Sequence, residues 1–95
     1  MAEDKAAGRT PLGLAHRGFR GHIDAIEVNA SDSGVSDAEL ERRLLELGFV
    51  EGATVEILHE GPVGRDPIAV RVNDSTIALR RREAMAVMVS AETVP

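Results

Sequence analysis

The sequence has 95 residues, a formal net charge of -5 and an isoelectric point near 5.1. It contains no cysteine, which excludes disulfides, thiolate metal sites and cysteine nucleophiles. The chain is acidic, and it has 2 Phe but no Tyr or Trp, so it lacks the positive charge and the stacking rings of a general nucleic-acid binder.

The length and the absence of long apolar runs predict one small cytoplasmic domain. No run approaches the ~18 apolar residues that a membrane helix needs, and the first residues carry charges instead of the apolar stretch of a secretory signal. A hydrophobic fraction of 43% supports a core, which must be aliphatic. We expect a flexible tail over residues 1–10, the domain over residues 11–91 and a second tail over residues 92–95.

The first third of the chain predicts two strands. An edge strand is expected around residues 12–15, and a longer strand over residues 21–28. In the longer strand Ile23 and Ala25 share one face, whereas Ile26 and Val28 share the other. This change of phase is typical of a β-bulge, or of a strand that is covered on both faces. The residue types of positions 29–34 then predict a loop.

A helix is predicted over residues 36–47, with Ser36 as its N-cap and Glu39 completing a capping box. The leucines at positions 40, 44 and 47 share one face of this helix. Gly48 is expected at C′, because glycine adopts the left-handed conformation at little steric cost. Phe49 then becomes C″ and Leu44 becomes C3, two positions that commonly touch.

Short strands joined by turns are predicted for the second half of the chain. The expected strands are residues 55–59, 68–72, 75–80 and 86–89, with a helical turn over residues 81–85 and fraying from residue 90 onwards. The glycines and prolines of residues 60–67 predict a loop, and Asn73-Asp74 predicts a tight hairpin turn. About five short strands with one helix predict a mainly β fold, a small barrel with the helix plugging one end.

Three segments resemble the motifs of FeoA-type domains. They are residues 44–57, residues 61–68 with Gly61-Pro62 and Asp66-Pro67, and residues 77–84 with Ile77, Leu79-Arg80 and Glu83-Ala84. The resemblance implies an SH3-like barrel and a small cytoplasmic accessory protein of bacterial ferrous iron uptake. Its implied partner is the cytosolic, GTPase-containing part of the FeoB membrane iron transporter. The resemblance extends to the C-terminal domain of iron-dependent repressors, so a stand-alone metal-responsive or peptide-binding regulatory domain is the alternative function.

No enzymatic site and no cofactor are predicted. Ser, His and Asp are present, but they form no triad-like motif, and the sequence has no phosphate-binding loop. The three histidines, at positions 16, 22 and 59, lack the paired spacing of a zinc site. His59 and Glu60 are the candidates for a transition metal, and the alternative is that both are simply solvated at a strand end.

Four residues are candidates for contact with a partner protein. Leu58 falls out of phase with the core residues of its strand, and Leu45 lies at the flank of the helical stripe, so the two leucines either form a docking patch or pack against the tail or a neighbouring copy. Arg80 and Arg82 belong to a run of three arginines that either contacts a partner or balances nearby carboxylates. Homo-oligomerisation stays open.

Overall fold

The computed structural model describes residues 9–28 and 37–92, and within them it contains six strands and three short helices. In chain order these are β1 (Arg9–Pro11), a 3₁₀ helix (Leu12–Leu14), β2 (Arg20–Ile26), α1 (Asp37–Glu46), β3 (Thr54–Val63), β4 (Asp66–Val72), β5 (Ser75–Leu79), α2 (Arg81–Ala84) and β6 (Val87–Ala91). None of the helices in the described part of the chain is long and apolar enough to cross a membrane.

All six strands belong to one antiparallel sheet in the order β1-β6-β2-β3-β4-β5. Its core is aliphatic apart from Phe49 and includes Leu79 of β5 together with Val87 and Val89 of β6. Since β5 and β6 lie near opposite ends of the strand order, the sheet must curl for these residues to share one core. The predicted mainly β fold class is confirmed, with six strands instead of about five.

Helix α1 closes over this core as predicted. Leu40 and Leu44 are fully buried, and Leu47 packs against them from a half-buried position. Gly48 has φ +103°; its N–H donates to the Leu45 carbonyl, and the N–H of Phe49 donates to the Leu44 carbonyl, both at 3.0 Å. These two bonds define a Schellman stop and confirm Gly48 at C′.

Several predictions near the start of α1 and at the chain ends lie outside the described residues. They are the loop of residues 29–34, the Ser36 N-cap and the tail segments over residues 1–8 and 93–95. The bulge in β2 is described and confirmed, because the pairing of β2 with β6 shifts register between Ile23 and Ala25. The bulge lets side chains of both phases reach the core, and Ile26 packs against it.

The loop predicted for residues 60–67 is wrong. Strand β3 continues to Val63 and β4 begins at Asp66, so the connection is a two-residue turn at Gly64 and Arg65, which have φ values of +65° and +59°. The register of β3 against β4 shifts between Ile57 and His59 and again between Glu60 and Val63. Gly61 and Pro62 lie in the second irregular stretch, where the pairing of β3 with β4 does not need a backbone N–H from every residue.

Both ends of the domain also differ from the prediction. The first strand is Arg9–Pro11, whereas the residues predicted as a strand begin with the 3₁₀ helix. Strand β6 reaches Ala91 instead of fraying from Ser90, because β1 and β2 pair with it on its two sides. Arg9 and Thr10, which the sequence analysis placed in the flexible tail, therefore belong to the sheet.

Candidate protein-interaction surface

The predicted run of three arginines divides into one inward and two outward residues. Arg81 is the inward one, with a side chain that is 17% exposed. Its side chain and backbone N–H donate to the carbonyl oxygens of Gly13 (3.0 Å), Ala15 (2.7 Å) and Arg65 (2.8 Å) and to the carboxylates of Glu60 (2.6 Å) and Asp66 (2.9 Å). Arg81 is thus a structural residue, whereas Arg80 and Arg82 are exposed and available to a partner.

Glu60 is held between two cationic or ionisable groups. Its Oε2 atom lies 2.6 Å from Nη2 of Arg81 and 3.2 Å from Nδ1 of His16. The hydrogen bond with His16, aided by the positive charge of Arg81, lowers the pKa of Glu60 below its ordinary value. Glu60 is therefore an ionised partner of Arg81 in the folded protein.

The two candidates for a transition metal have different surroundings. His59 is exposed, whereas the Glu60 carboxylate is already engaged by Arg81 and His16. Residues 9–28 and 37–92 contain no group of three or more His, Cys, Asp or Glu side chains placed to hold a metal ion. A metal at His59 and Glu60 would have to compete with the Arg81 ion pair for its carboxylate ligand.

A groove of about 350 Å³ lies where α1, β4, β5 and α2 approach one another, and we call it the Arg80 groove. Its lining residues are Arg43, Pro67, Ala78, Arg80 and Glu83. Glu83 is 8% exposed, and its two carboxylate oxygens accept from the Arg80 N–H (3.3 Å) and from Nη1 of Arg43 (2.6 Å). The same carboxylate thus caps α2 and ties it to α1.

The Arg80 groove carries excess positive charge. Arg43 neutralises Glu83, whereas the guanidinium of Arg80 donates to no carboxylate among the described residues. Arg82 lies two residues further on, also exposed and without a described ion pair. An anionic or carbonyl-rich segment of a partner would find unengaged donors here.

The two predicted leucines lie outside the Arg80 groove. Leu45 is 44% exposed on α1, close to the helix stop, and Val50 on the other side of the stop is 42% exposed. Leu58 is half-buried in β3, and it lies in the first register shift against β4, between Ile57 and His59. The sequence analysis did not select Val50 or Arg43 as contact residues. Arg43 lies in the last turn of α1, where the helix dipole favours a cationic side chain, and this position could have drawn attention to it.

One cluster contains the residue types of a nucleophilic site but in an unsuitable order. The Ser90 hydroxyl donates to Oδ2 of Asp24, and Nε2 of His22 lies 3.4 Å from Oδ1 of the same carboxylate. In a catalytic triad the imidazole stands between the hydroxyl and the carboxylate, so that it can remove the hydroxyl proton. Here the carboxylate stands in the middle, and the imidazole cannot activate Ser90 through this arrangement.

Comparison with known proteins places these features in a family. The family model of the FeoA domain matches residues 10–91. The chain belongs to the FeoA family. It is 35% identical over 65 residues, or 68% of the chain, to the Fe(2+) transport protein A/Fe(2+) transporter FeoB fusion protein of Porphyromonas gingivalis. The matched stretch corresponds to 7% of the length of that fusion protein.

Solved structures agree with this assignment. FeoA of Stenotrophomonas maltophilia, described as a prokaryotic SH3 domain protein and solved in complex with zinc, is 35% identical with a TM-score of 0.66, covering 83% of this chain and 87% of its own. Iron(II) transport protein A of Clostridium thermocellum is 30% identical with a TM-score of 0.71, covering 86% and 45%. IdeR of T. acidophilum, at 18% identity, a TM-score of 0.66 and coverage of 88% and 34%, shows a shared fold. The SH3-like architecture of this FeoA domain is confirmed.

Proposed function

We propose that this protein is a non-enzymatic accessory of ferrous iron transport that binds the cytosolic, GTPase-containing part of a FeoB-type transporter. The observation that carries the proposal is the match to a protein in which a FeoA part and a FeoB part form one polypeptide. Fusion raises the effective concentration of one part near the other, an advantage that requires the two to act together.

The contact surface we propose combines the Arg80 groove with the exposed part of α1. Arg80 and Arg82 supply unengaged cationic donors and Leu45 supplies apolar area, while Leu58, half-buried on β3, is the fourth proposed contact residue. Charge on this surface would mainly accelerate association, while the apolar contacts would slow dissociation. The bound protein would change transport by binding one conformational state of the transporter more tightly than another.

A non-enzymatic role is consistent with the arrangement of the ionisable residues. The Ser90, Asp24 and His22 cluster has the wrong order for nucleophilic catalysis. Glu60, a carboxyl group whose pKa is lowered, is engaged by Arg81 and is poorly suited to accept a proton near neutral pH. The alternative of a repressor-like regulatory domain rests on likeness to IdeR below 25% identity, which supports the fold and not the function.

The proposal is tested by titrating the purified chain into the cytosolic part of the FeoB-type transporter from the same genome. We expect saturable binding at micromolar concentrations, weakened at least about tenfold by Arg80→Glu together with Arg82→Glu. Arg17→Glu is the control for a single charge reversal, to be compared with Arg80→Glu alone and Arg82→Glu alone, since Arg17 is also exposed and has no described ion pair. Absence of binding at tens of micromolar, with the chain shown to be folded by circular dichroism, would overturn the proposal.

A further inference from the structure

The two edges of the sheet differ in how well they are protected from pairing with another strand. The β1 edge is three residues long and ends with Pro11, which has no N–H to donate. Arg9 on this strand lies 3.6 Å from Asp24 and 3.6 Å from Glu27, so charged side chains crowd the same edge. Short length, proline and charge are the usual means by which an edge avoids another strand.

The β5 edge has none of these protections along its length. Ser75–Leu79 contains no proline and no charged residue, and its pairing with β4 runs without a register shift. No other strand of residues 9–28 and 37–92 pairs with the outer edge of β5. The side chains of Thr76 and Ala78 are exposed and small, so another backbone can approach closely.

The residues that flank β5 are complementary under a twofold axis. An antiparallel pair of two β5 strands that uses all five residues must be centred on Ile77, which places Ser75 opposite Leu79 and Thr76 opposite Ala78. The same register brings Asp74, in the β4–β5 turn of one copy, next to Arg80, just past the end of β5 in the other copy. Neither Asp74 nor Arg80 has an ion-pair partner among the described residues.

We propose that β5 pairs with β5 of a second copy of this chain in that register, joining two sheets into one across a twofold axis. The backbone groups of the open edges supply the attraction, as in other additions of a strand to a sheet. The two Asp74–Arg80 pairs select the antiparallel register centred on Ile77 over shifted ones, because shifted registers separate the opposite charges. The interface is small, so the association is weak and reversible.

The absence of native cysteine makes disulfide trapping a direct test of the register. Two proteins are prepared, Thr76→Cys and Ala78→Cys, and are mixed under mild oxidation. Residues directly opposite in the proposed pair have Cα atoms about 4.5–5.5 Å apart, within disulfide range, whereas two copies of Cys at position 76 would be about 8 Å apart. We expect the mixed disulfide to form at least about tenfold faster than either homodisulfide.

Charge variants in the same proteins test the Asp74–Arg80 pairs. With Asp74→Arg in both proteins, like charges face each other and the mixed disulfide should form several-fold more slowly. With Asp74→Arg in one protein and Arg80→Asp in the other, both pairs become opposite in charge again and the fast rate should return. A Val63→Cys protein is the control for random collision, since Val63 is 81% exposed and lies at the tip of the β3–β4 hairpin.

Two results would overturn the proposal. One is a mixed disulfide that forms no faster than the homodisulfides or the Val63→Cys dimer. The other is a rate of mixed-disulfide formation that is the same with and without the charge substitutions, while circular dichroism shows that every variant is folded. Because the experiment uses this chain alone, either result leaves the proposed binding to a transporter untouched.

Discussion

At the scale of single residues, Glu60 shows how tertiary contacts change the role that is assigned to a side chain. The sequence presents it beside His59 as a metal candidate, whereas the structure pairs its carboxylate with His16 and Arg81. Both partners are far from Glu60 in sequence, so no local pattern predicts them. The outcome is a carboxylate with a lowered pKa that stabilises the fold when ionised.

The pH dependence of stability follows from the direction of this pKa shift. Because the pKa of Glu60 is lower in the folded than in the unfolded chain, its contribution is present above the ordinary pKa of 4.5 and is lost as pH falls through the lowered value. Below pH 4.5, we expect the free energy of unfolding of Glu60→Gln to decrease less steeply with falling pH than that of the wild type. Urea denaturation between pH 7 and pH 3 measures this, and Glu51→Gln serves as an exposed control. Parallel pH profiles for the wild type and Glu60→Gln would contradict the assignment.

At the scale of elements, the stop of α1 is a local structure that the sequence specifies almost completely. The stop combines a glycine with positive φ, two backbone hydrogen bonds and two fully buried apolar residues, Leu44 and Phe49. The β3–β4 hairpin is less predictable. Gly61 and Pro62, which normally interrupt a strand, lie where the register of β3 against β4 is irregular. Pairing with β4 outweighs the preference of these two residues for a loop.

The stop of α1 can be tested at Gly48. A Cβ at this position would meet nothing closer than the methyl groups of Val72 at 3.8 Å, so the effect of a side chain is conformational. We expect Gly48→Ala to lower the free energy of unfolding by about 1–2 kcal/mol, because alanine resists the left-handed region. Gly48→Asn should cost less, since asparagine tolerates that region. Equal losses for the two variants in urea denaturation would refute this explanation.

At the scale of the whole molecule, Arg81 connects parts of the chain that the strand order keeps apart. Its guanidinium joins the segment after β1, through Gly13 and Ala15, to the β3–β4 hairpin, through Glu60 and Arg65. These bonds join the β1 end of the strand order to the β3–β4 hairpin, but not to β5 at the other end. Arg81 therefore closes the structure with side-chain bonds, in a place where no strand pairing is described.

Removal of this connection should destabilise the domain strongly. Arg81→Ala removes a donor from the carbonyl oxygens of Gly13 and Ala15 and leaves the Glu60 carboxylate with His16 alone, so we expect a loss of about 2–4 kcal/mol in the free energy of unfolding. The neighbouring Arg82→Ala, at an exposed position, should stay within about 0.5 kcal/mol of the wild type. Similar urea midpoints for the two variants would show that Arg81 is not a structural residue.

The sequence by itself determined the features that depend on neighbouring residues. These are the aliphatic core, the helix with its leucine stripe and glycine stop, the Asn73-Asp74 turn and the mainly β class, because periodicity and backbone preferences act over a few positions. The predicted contact residues remain a proposal, since exposure alone does not identify a partner.

Only the tertiary structure decided which of three consecutive arginines turns inward. Arg81 finds acceptors as far as 68 residues away in sequence, and local chemistry does not distinguish it from Arg80 or Arg82. The same holds for the edges of the sheet. Whether a strand is covered or open depends on the order in which the chain returns to the sheet, and that order is set by packing of the whole core.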